Sequence, residues 1–150
     1  MTRARVVLAE DHAVMAQHLR ALLASEHEVV DIVQDGRALI ETVEACRPDV
    51  VVCDIAMPGL SGLVAARVLL ARDPEARIVF VTVRDERAVI RKAMSGGARG
   101  YVVKCDAGDE LPGAVRTVLG GGYYVSSTAR AALEGSGPPG AAREGRESGE

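Results

Sequence analysis

Short apolar runs alternate with longer amphipathic stretches along this chain. Val6-Val7-Leu8-Ala9 is the first run, and it stops at two acids, Glu10 and Asp11. Behind it, Met15, Leu19, Leu22 and Leu23 recur at spacings of four, three and one, as on one face of a helix. Val29, Val30, Ile32 and Val33 form a shorter β-like run. Leu39, Ile40 and Val43 then return to helical spacing up to Cys46. Pro48 interrupts, and Val50-Val51-Val52-Cys53 follows as a third strand, ended by Asp54. Being apolar on consecutive positions, it is expected to be buried on both faces, as in a parallel sheet. Pro58, Gly59, Ser61 and Gly62 mark a loop, and Leu63 to Ala71 a helix closed by Asp73-Pro74. Ile78-Val79-Phe80-Val81 is a fourth strand ending at Thr82. Asp85 to Met94 is helical until Gly96-Gly97. Tyr101-Val102-Val103 is a fifth strand ending at Lys104, and Leu111 to Leu119 a helix ended by three glycines, 120–122.

Five such units predict an α/β fold with a parallel sheet and helices on both faces. A closed β/α barrel needs about eight units and ~250 residues, and this chain has 150. The expected architecture is therefore an open doubly wound sheet of five strands, flavodoxin-like if the order is 2-1-3-4-5. Residues 1–122 form the main domain, and 123–134 a linker or short extra helix, with Ser126 to Leu133 able to form it. From Gly135 to Glu150 the chain is Gly, Pro and charge with almost no apolar residue. Nothing there offsets the entropy of ordering, so 135–150 is expected to be disordered.

The composition, 48% apolar and 26% charged, suits a packed core. A net charge of −3 supplies no basic field for nucleic acid, and one Phe, three Tyr and no Trp supply no stacking surface. Cys46, Cys53 and Cys105 are odd in number and lack a CxxC spacing, so they read as reduced thiols rather than a disulfide framework or zinc site. The first apolar run holds only four residues, too few for a signal peptide or a membrane span. A cytoplasmic protein without membrane contact is expected.

The chemistry lies at the strand ends. Glu10 and Asp11 follow strand one, Asp54 strand three, Thr82 strand four and Lys104 strand five. In an open α/β sheet, ligands bind outside the carboxyl ends of the strands where the order reverses. With the order 2-1-3-4-5, strands one and three flank that point and the three acids converge. Three carboxylates in one cleft repel. A hard cation relieves this, and Mg²⁺ takes oxygen ligands, commonly one or two carboxylates plus a phosphate. A carboxylate is also a nucleophile toward phosphorus. Lys104 offers a positive charge to a phosphoryl oxygen, and Thr82 a hydroxyl donor. Two adjacent acids after a strand would otherwise cap a helix, and Lys104 alone would be a solvated lysine. The set in this order favours the chemical reading. His12, His18 and His27 show no ligand spacing and read as surface or helix-face residues.

Glu10-Asp11-His12, Asp54-Ile55-Ala56-Met57-Pro58-Gly59, Thr82 and Gly100-Tyr101-Val102-Val103-Lys104 resemble the CheY-like receiver domain of response regulators. The likeness runs from about Arg5 to about Ala132 and is strongest to the NarL/FixJ receivers that precede a LuxR-type helix-turn-helix. It implies that Asp54 accepts phosphate from a histidine kinase or a histidine phosphotransfer protein. It further implies that Glu10, Asp11, Asp54 and the Ala56 carbonyl hold Mg²⁺, and that Thr82 and Tyr101 form a switch. In receivers, the positions of Ala56 and Arg84 flank the acyl phosphate and influence attack by water. Val83 is bulkier than the small residue common in receivers after the switch hydroxyl.

Output is expected through the fourth helix, fifth strand and fifth helix, where Val89, Arg91, Arg99 and Val115 would meet a partner or a second copy; helices one and five are the other candidate dimer face. Gly122 to Ser126 resembles the linker into a helix-turn-helix, but only the Gly/Pro/charged tail follows. Specific DNA binding by this chain alone is therefore not expected. A phosphorylation-independent docking module, or the remnant of a DNA-binding regulator, is the alternative. A haloacid-dehalogenase-like phosphohydrolase would need an acid where Ala56 stands, so no enzyme activity is expected beyond self-phosphorylation and slow self-dephosphorylation on Asp54.

Overall fold

The computed structural model describes residues 3–135. The tail expected to be disordered lies outside these residues, Gly135 apart. The strands are β1 (Arg5–Ala9), β2 (Glu28–Val33), β3 (Val50–Cys53), β4 (Ile78–Thr82), β5 (Gly100–Val103) and β6 (Tyr124–Val125). The helices are α1 (Ala13–Ala24), α2 (Gly36–Cys46), α3 (Gly62–Arg72), α4 (Arg87–Ser95), α5 (Ala107–Leu119) and α6 (Ser127–Glu134).

The central strands pack as their consecutive apolar residues require. Successive side chains of a strand point to opposite faces. Val6 and Leu8 of β1 meet Leu19 and Leu23 of α1 and Leu111, Val115 and Val118 of α5. Val7 and Ala9 face the other way, toward Leu39 of α2, Ala65 and Leu69 of α3, and Ile90 and Ala93 of α4. Two short helix starts are capped by side chains. Asp35 accepts from the Ala38 amide at 2.8 Å and Ser61 from the Val64 amide at 3.3 Å, each contributing about 1 kcal/mol.

The sheet is parallel throughout, in the order β2-β1-β3-β4-β5-β6. The expected order is present, but the expected count of five strands is corrected to six. β6 is two residues long, behind three glycines, so it leaves no run in the pattern. It forms because β5 would otherwise present open carbonyls: Tyr124 N donates to Arg99 O and Ser126 N to Tyr101 O, both at 2.9 Å. The short extra helix expected over 123–134 is α6. It packs Ala129 into the α2–α3–α4 side of the core, with Ala132 and Leu133 against its rim.

This segment alters the expected output face. β5 is not an edge strand, and Val115 is fully buried between α5 and the sheet, so it cannot meet a partner. Arg99 stacks its guanidinium over the Tyr123 ring, 5.5 Å from the centroid. Arg91 remains exposed, and Val89 is half-buried.

His27 is also corrected: it is buried, 6% exposed, rather than at the surface. Neither ring nitrogen has a hydrogen-bond partner. Burial pushes its imidazole below the ordinary value; Glu26 opposes this, while Arg3 and Arg116 reinforce it. Glu26 is itself paired with Arg116 of α5, and the Arg3 guanidinium donates to the His27 carbonyl at 2.6 Å. The unfolded chain therefore takes up a proton here before the folded one does. Stability from the neutral ring is complete above about pH 6.5, the unfolded value, and falls as pH drops from there toward the depressed folded value. Urea midpoints at pH 7.5 and 5.5 should differ less for His27→Leu than for the parent; equal differences would remove His27 from the acid response.

Candidate functional site

The carboxyl ends of β1, β3, β4 and β5 adjoin because those strands are neighbours. Ala9 pairs with Cys53, Cys53 with Phe80, and Thr82 with Val103. The residues that follow these ends meet in one place. Glu10 and Asp54 are 1% and 5% exposed, and Thr82 is fully buried. Lys104 reaches from β5 across β4, and its Nζ stands 2.8 Å from both Asp54 Oδ2 and Glu10 Oε1. Its ammonium is held above the ordinary value. Burial, the largest single influence, lowers it, but the bonds and charges of Asp54 and Glu10 together outweigh burial.

The remaining carboxylate oxygens face the loops. Asp54 Oδ1 accepts from the Ala56 amide at 3.3 Å, and Glu10 Oε2 from the His12 amide at 3.1 Å. Asp11 Oδ1 is buried without a hydrogen-bond partner. Thr82 Oγ1 accepts from the Arg84 amide at 3.3 Å. The Tyr101 ring is fully buried beside Phe80, its centroid 6.4 Å away, and its hydroxyl donates to the Arg84 carbonyl at 2.9 Å. Burial pushes that phenol up. The Arg84 guanidinium is held by Glu86 at 3.0 Å, and Val83 is exposed.

His12 lies at the surface as expected, its side chain 75% exposed, but it is not isolated from the acids. His12 Nδ1 lies 3.3 Å from Glu10 Oε2 and 3.4 Å from Asp11 Oδ1. Ligand atoms of Glu10, Asp11 and His12 all lie within 4.8 Å of one another, and Asp54 is not part of that trio. The adjacency of His12 to two acids was the available signal. Spacing rules for ligands on one helix do not cover a turn that folds three successive side chains together.

Residues 6–116 match the family described as the response regulator receiver domain. The chain belongs to that family. This receiver domain is 33% identical over 123 residues to the transcriptional regulatory protein DegU of Brevibacillus brevis, covering 81% of this chain and 52% of DegU. It is 36% identical over 133 residues to the transcriptional regulatory protein MctR of Rhizobium johnstonii, covering 87% of this chain and 62% of MctR. The receiver thus spans about half to three-fifths of the curated relatives it matches. Among solved structures, a LuxR-family two-component response regulator from Aurantimonas superposes with a TM-score of 0.85 at 30% identity, covering 89% of this chain and 96% of that one. The signal receiver domain of the putative response regulator NarL from Mycobacterium tuberculosis superposes at 0.77 and 28% identity, covering 81% and 99%. The receiver is thus a two-component signalling domain of the LuxR-associated type. Among its described residues no helix is long and apolar enough to cross a membrane.

Proposed function

We propose that Asp54 accepts a phosphoryl group from a histidine kinase or a histidine phosphotransfer protein, and that the phosphorylated domain signals through protein contacts. The observation that supports this best is Lys104, whose ammonium stands 2.8 Å from the Asp54 carboxylate at the sheet's switch point. A carboxylate oxygen of Asp54 attacks phosphorus. The bond from phosphorus to the donor imidazole breaks as the acyl-phosphate bond forms, and the departing imidazole takes up a proton. Lys104 then pairs with a phosphoryl oxygen, and the Thr82 hydroxyl donates to another.

The donor set fits Mg²⁺. Lys104 pairs with Glu10 and Asp54 but not with Asp11, whose buried Oδ1 accepts no hydrogen bond. Glu10, Asp11, Asp54 and the Ala56 carbonyl would hold the ion, which when bound neutralises phosphoryl oxygens. The switch reading is that the Thr82 hydroxyl is drawn to the phosphoryl group and the inward Tyr101, already buried with its hydroxyl on the Arg84 carbonyl, is favoured by it, shifting a two-state balance. Helices α1 and α5 remain a candidate face for a second copy. The α4–β5–α5 face takes a partner beside β6 and α6 rather than on a bare strand edge.

Intact mass after incubation with Mg²⁺ and acetyl phosphate tests the reading. One phosphoryl adduct is expected, absent without metal and absent in Asp54→Ala. An adduct retained in Asp54→Ala would place the acceptor elsewhere. No adduct from acetyl phosphate or from a cognate kinase, with Mg²⁺ still bound, would leave a docking module.

A further inference from the structure

The residues on either side of Lys104 are held by a segment that the phosphotransfer step does not use. The Val103 amide donates to Ser126 Oγ at 3.1 Å, and Ser126 is fully buried. On the other side of the lysine, Asp106 is held through its carboxylate. That carboxylate accepts from the Thr128 amide and the Thr128 hydroxyl, both at 2.9 Å. Asp106 is held below its ordinary value: burial raises it, but its hydrogen bonds, those from Thr128 among them, outweigh burial. A turn further on, Glu110 accepts from the Tyr124 hydroxyl at 2.7 Å and the Ser127 amide at 3.1 Å.

The main chain just before the lysine and the acid just after it are therefore tied to the first turn of α6. Residues 104–106 form a single 3₁₀ turn between these two anchors. The lysine must span β4 to place one nitrogen between carboxylates that follow β1 and β3. A displacement of that turn moves the ammonium off both acids.

We propose that the β6–α6 segment, through Ser126 on the Val103 amide and Thr128 on the Asp106 carboxylate, positions Lys104 for the phosphoryl group, and that α6 in turn responds to the group's arrival. This rests on Asp54 being the phosphoacceptor. Ser126 is a positioning residue that touches neither acid nor phosphoryl group. If α6 biases the lysine, an occupant on the lysine must bias α6 to the same degree. The physical link is the continuous series of bonded groups from Asp54 through Lys104 and Val103 to Ser126.

The test uses Mg²⁺ and beryllofluoride as the phosphoryl probe, with the full chain. In Ser126→Ala, beryllofluoride affinity should fall about tenfold, the equivalent of one hydrogen bond, while Mg²⁺ affinity does not fall, because the ammonium no longer competes for the two acids. Thr128→Val should weaken beryllofluoride about threefold, on the same scale, with Thr128→Ser near the parent; this pair serves if Ser126→Ala does not fold. In the parent, beryllofluoride should change hydrogen exchange over residues 124–134, and in Ser126→Ala it should not. Parental beryllofluoride affinity in a folded Ser126→Ala, or equal losses for Mg²⁺ and beryllofluoride, would overturn the positioning role. Exchange over 124–134 that ignores the probe would overturn the response of α6. Failure of the parent itself to bind beryllofluoride with Mg²⁺ would instead remove the phosphoacceptor reading, and this inference with it.

Discussion

Replacing Lys104 with alanine is expected to destabilise the fold by about 3 kcal/mol at neutral pH, the low end for removing one partner of a buried ion pair. The Lys104 side chain is 10% exposed, Asp54 5% and Glu10 0%. Without the ammonium, Glu10 and Asp54 face each other across a gap that water reaches poorly, with Asp11 beside them. The loss stays near the low end because one carboxylate can take up a proton instead. Mg²⁺ supplies the missing charge, so added Mg²⁺ should raise the urea midpoint of Lys104→Ala more than that of the parent. A loss under ~1 kcal/mol, the range of an exposed pair, would show that Lys104 does not hold these acids together.

Gly62→Ala is expected to cost about 3 kcal/mol, the top of the usual range for overpacking, and to disable the site as well. A Cβ there would lie 2.0 Å from the Asp54 carbonyl oxygen and 2.9 Å from Ile55 Cα. Both are backbone atoms, so no side chain can rotate away. The Gly62 amide also donates to the Ile55 carbonyl at 2.7 Å, which fixes the approach. Relief requires the β3–α3 loop to shift, and Asp54 shifts with it. Gly108→Ala in α5 is the matched control, since its Cβ would meet nothing within 4 Å. Denaturation midpoints and acetyl-phosphate labelling check both. A folded Gly62→Ala that labels like the parent would show that this approach is not needed.

The apolar runs of β1, β3, β4 and β5 were legible because these strands are covered on both faces, so burial writes itself into consecutive residues; β2, at the sheet edge, is only partly buried. Val50 to Cys53 and Ile78 to Val81 are buried throughout. The site was legible for a related reason. A polar residue directly after such a run sits at the strand's carboxyl end, and parallel strands bring those ends to one edge. Glu10, Asp54, Thr82 and Lys104 therefore point to one place from order alone. His27 was not legible, because a histidine after Glu26 in a polar turn gives no sign that Arg3 and α5 close over it.

The parallel α/β class and the set of polar groups at the strand ends are thus written in the chain, while the strand order came only with the receiver resemblance. The class and the polar set follow from local period and from what each residue type can do. That β6 completes the sheet, that α6 lies over β5 and that His12 folds back on Glu10 and Asp11 is visible only in the folded chain. Only there does Gly62 meet the Asp54 carbonyl and Ser126 meet Val103. Such contacts join residues far apart in the chain or turn on a loop's path, and neither leaves a periodic trace in the order of amino acids.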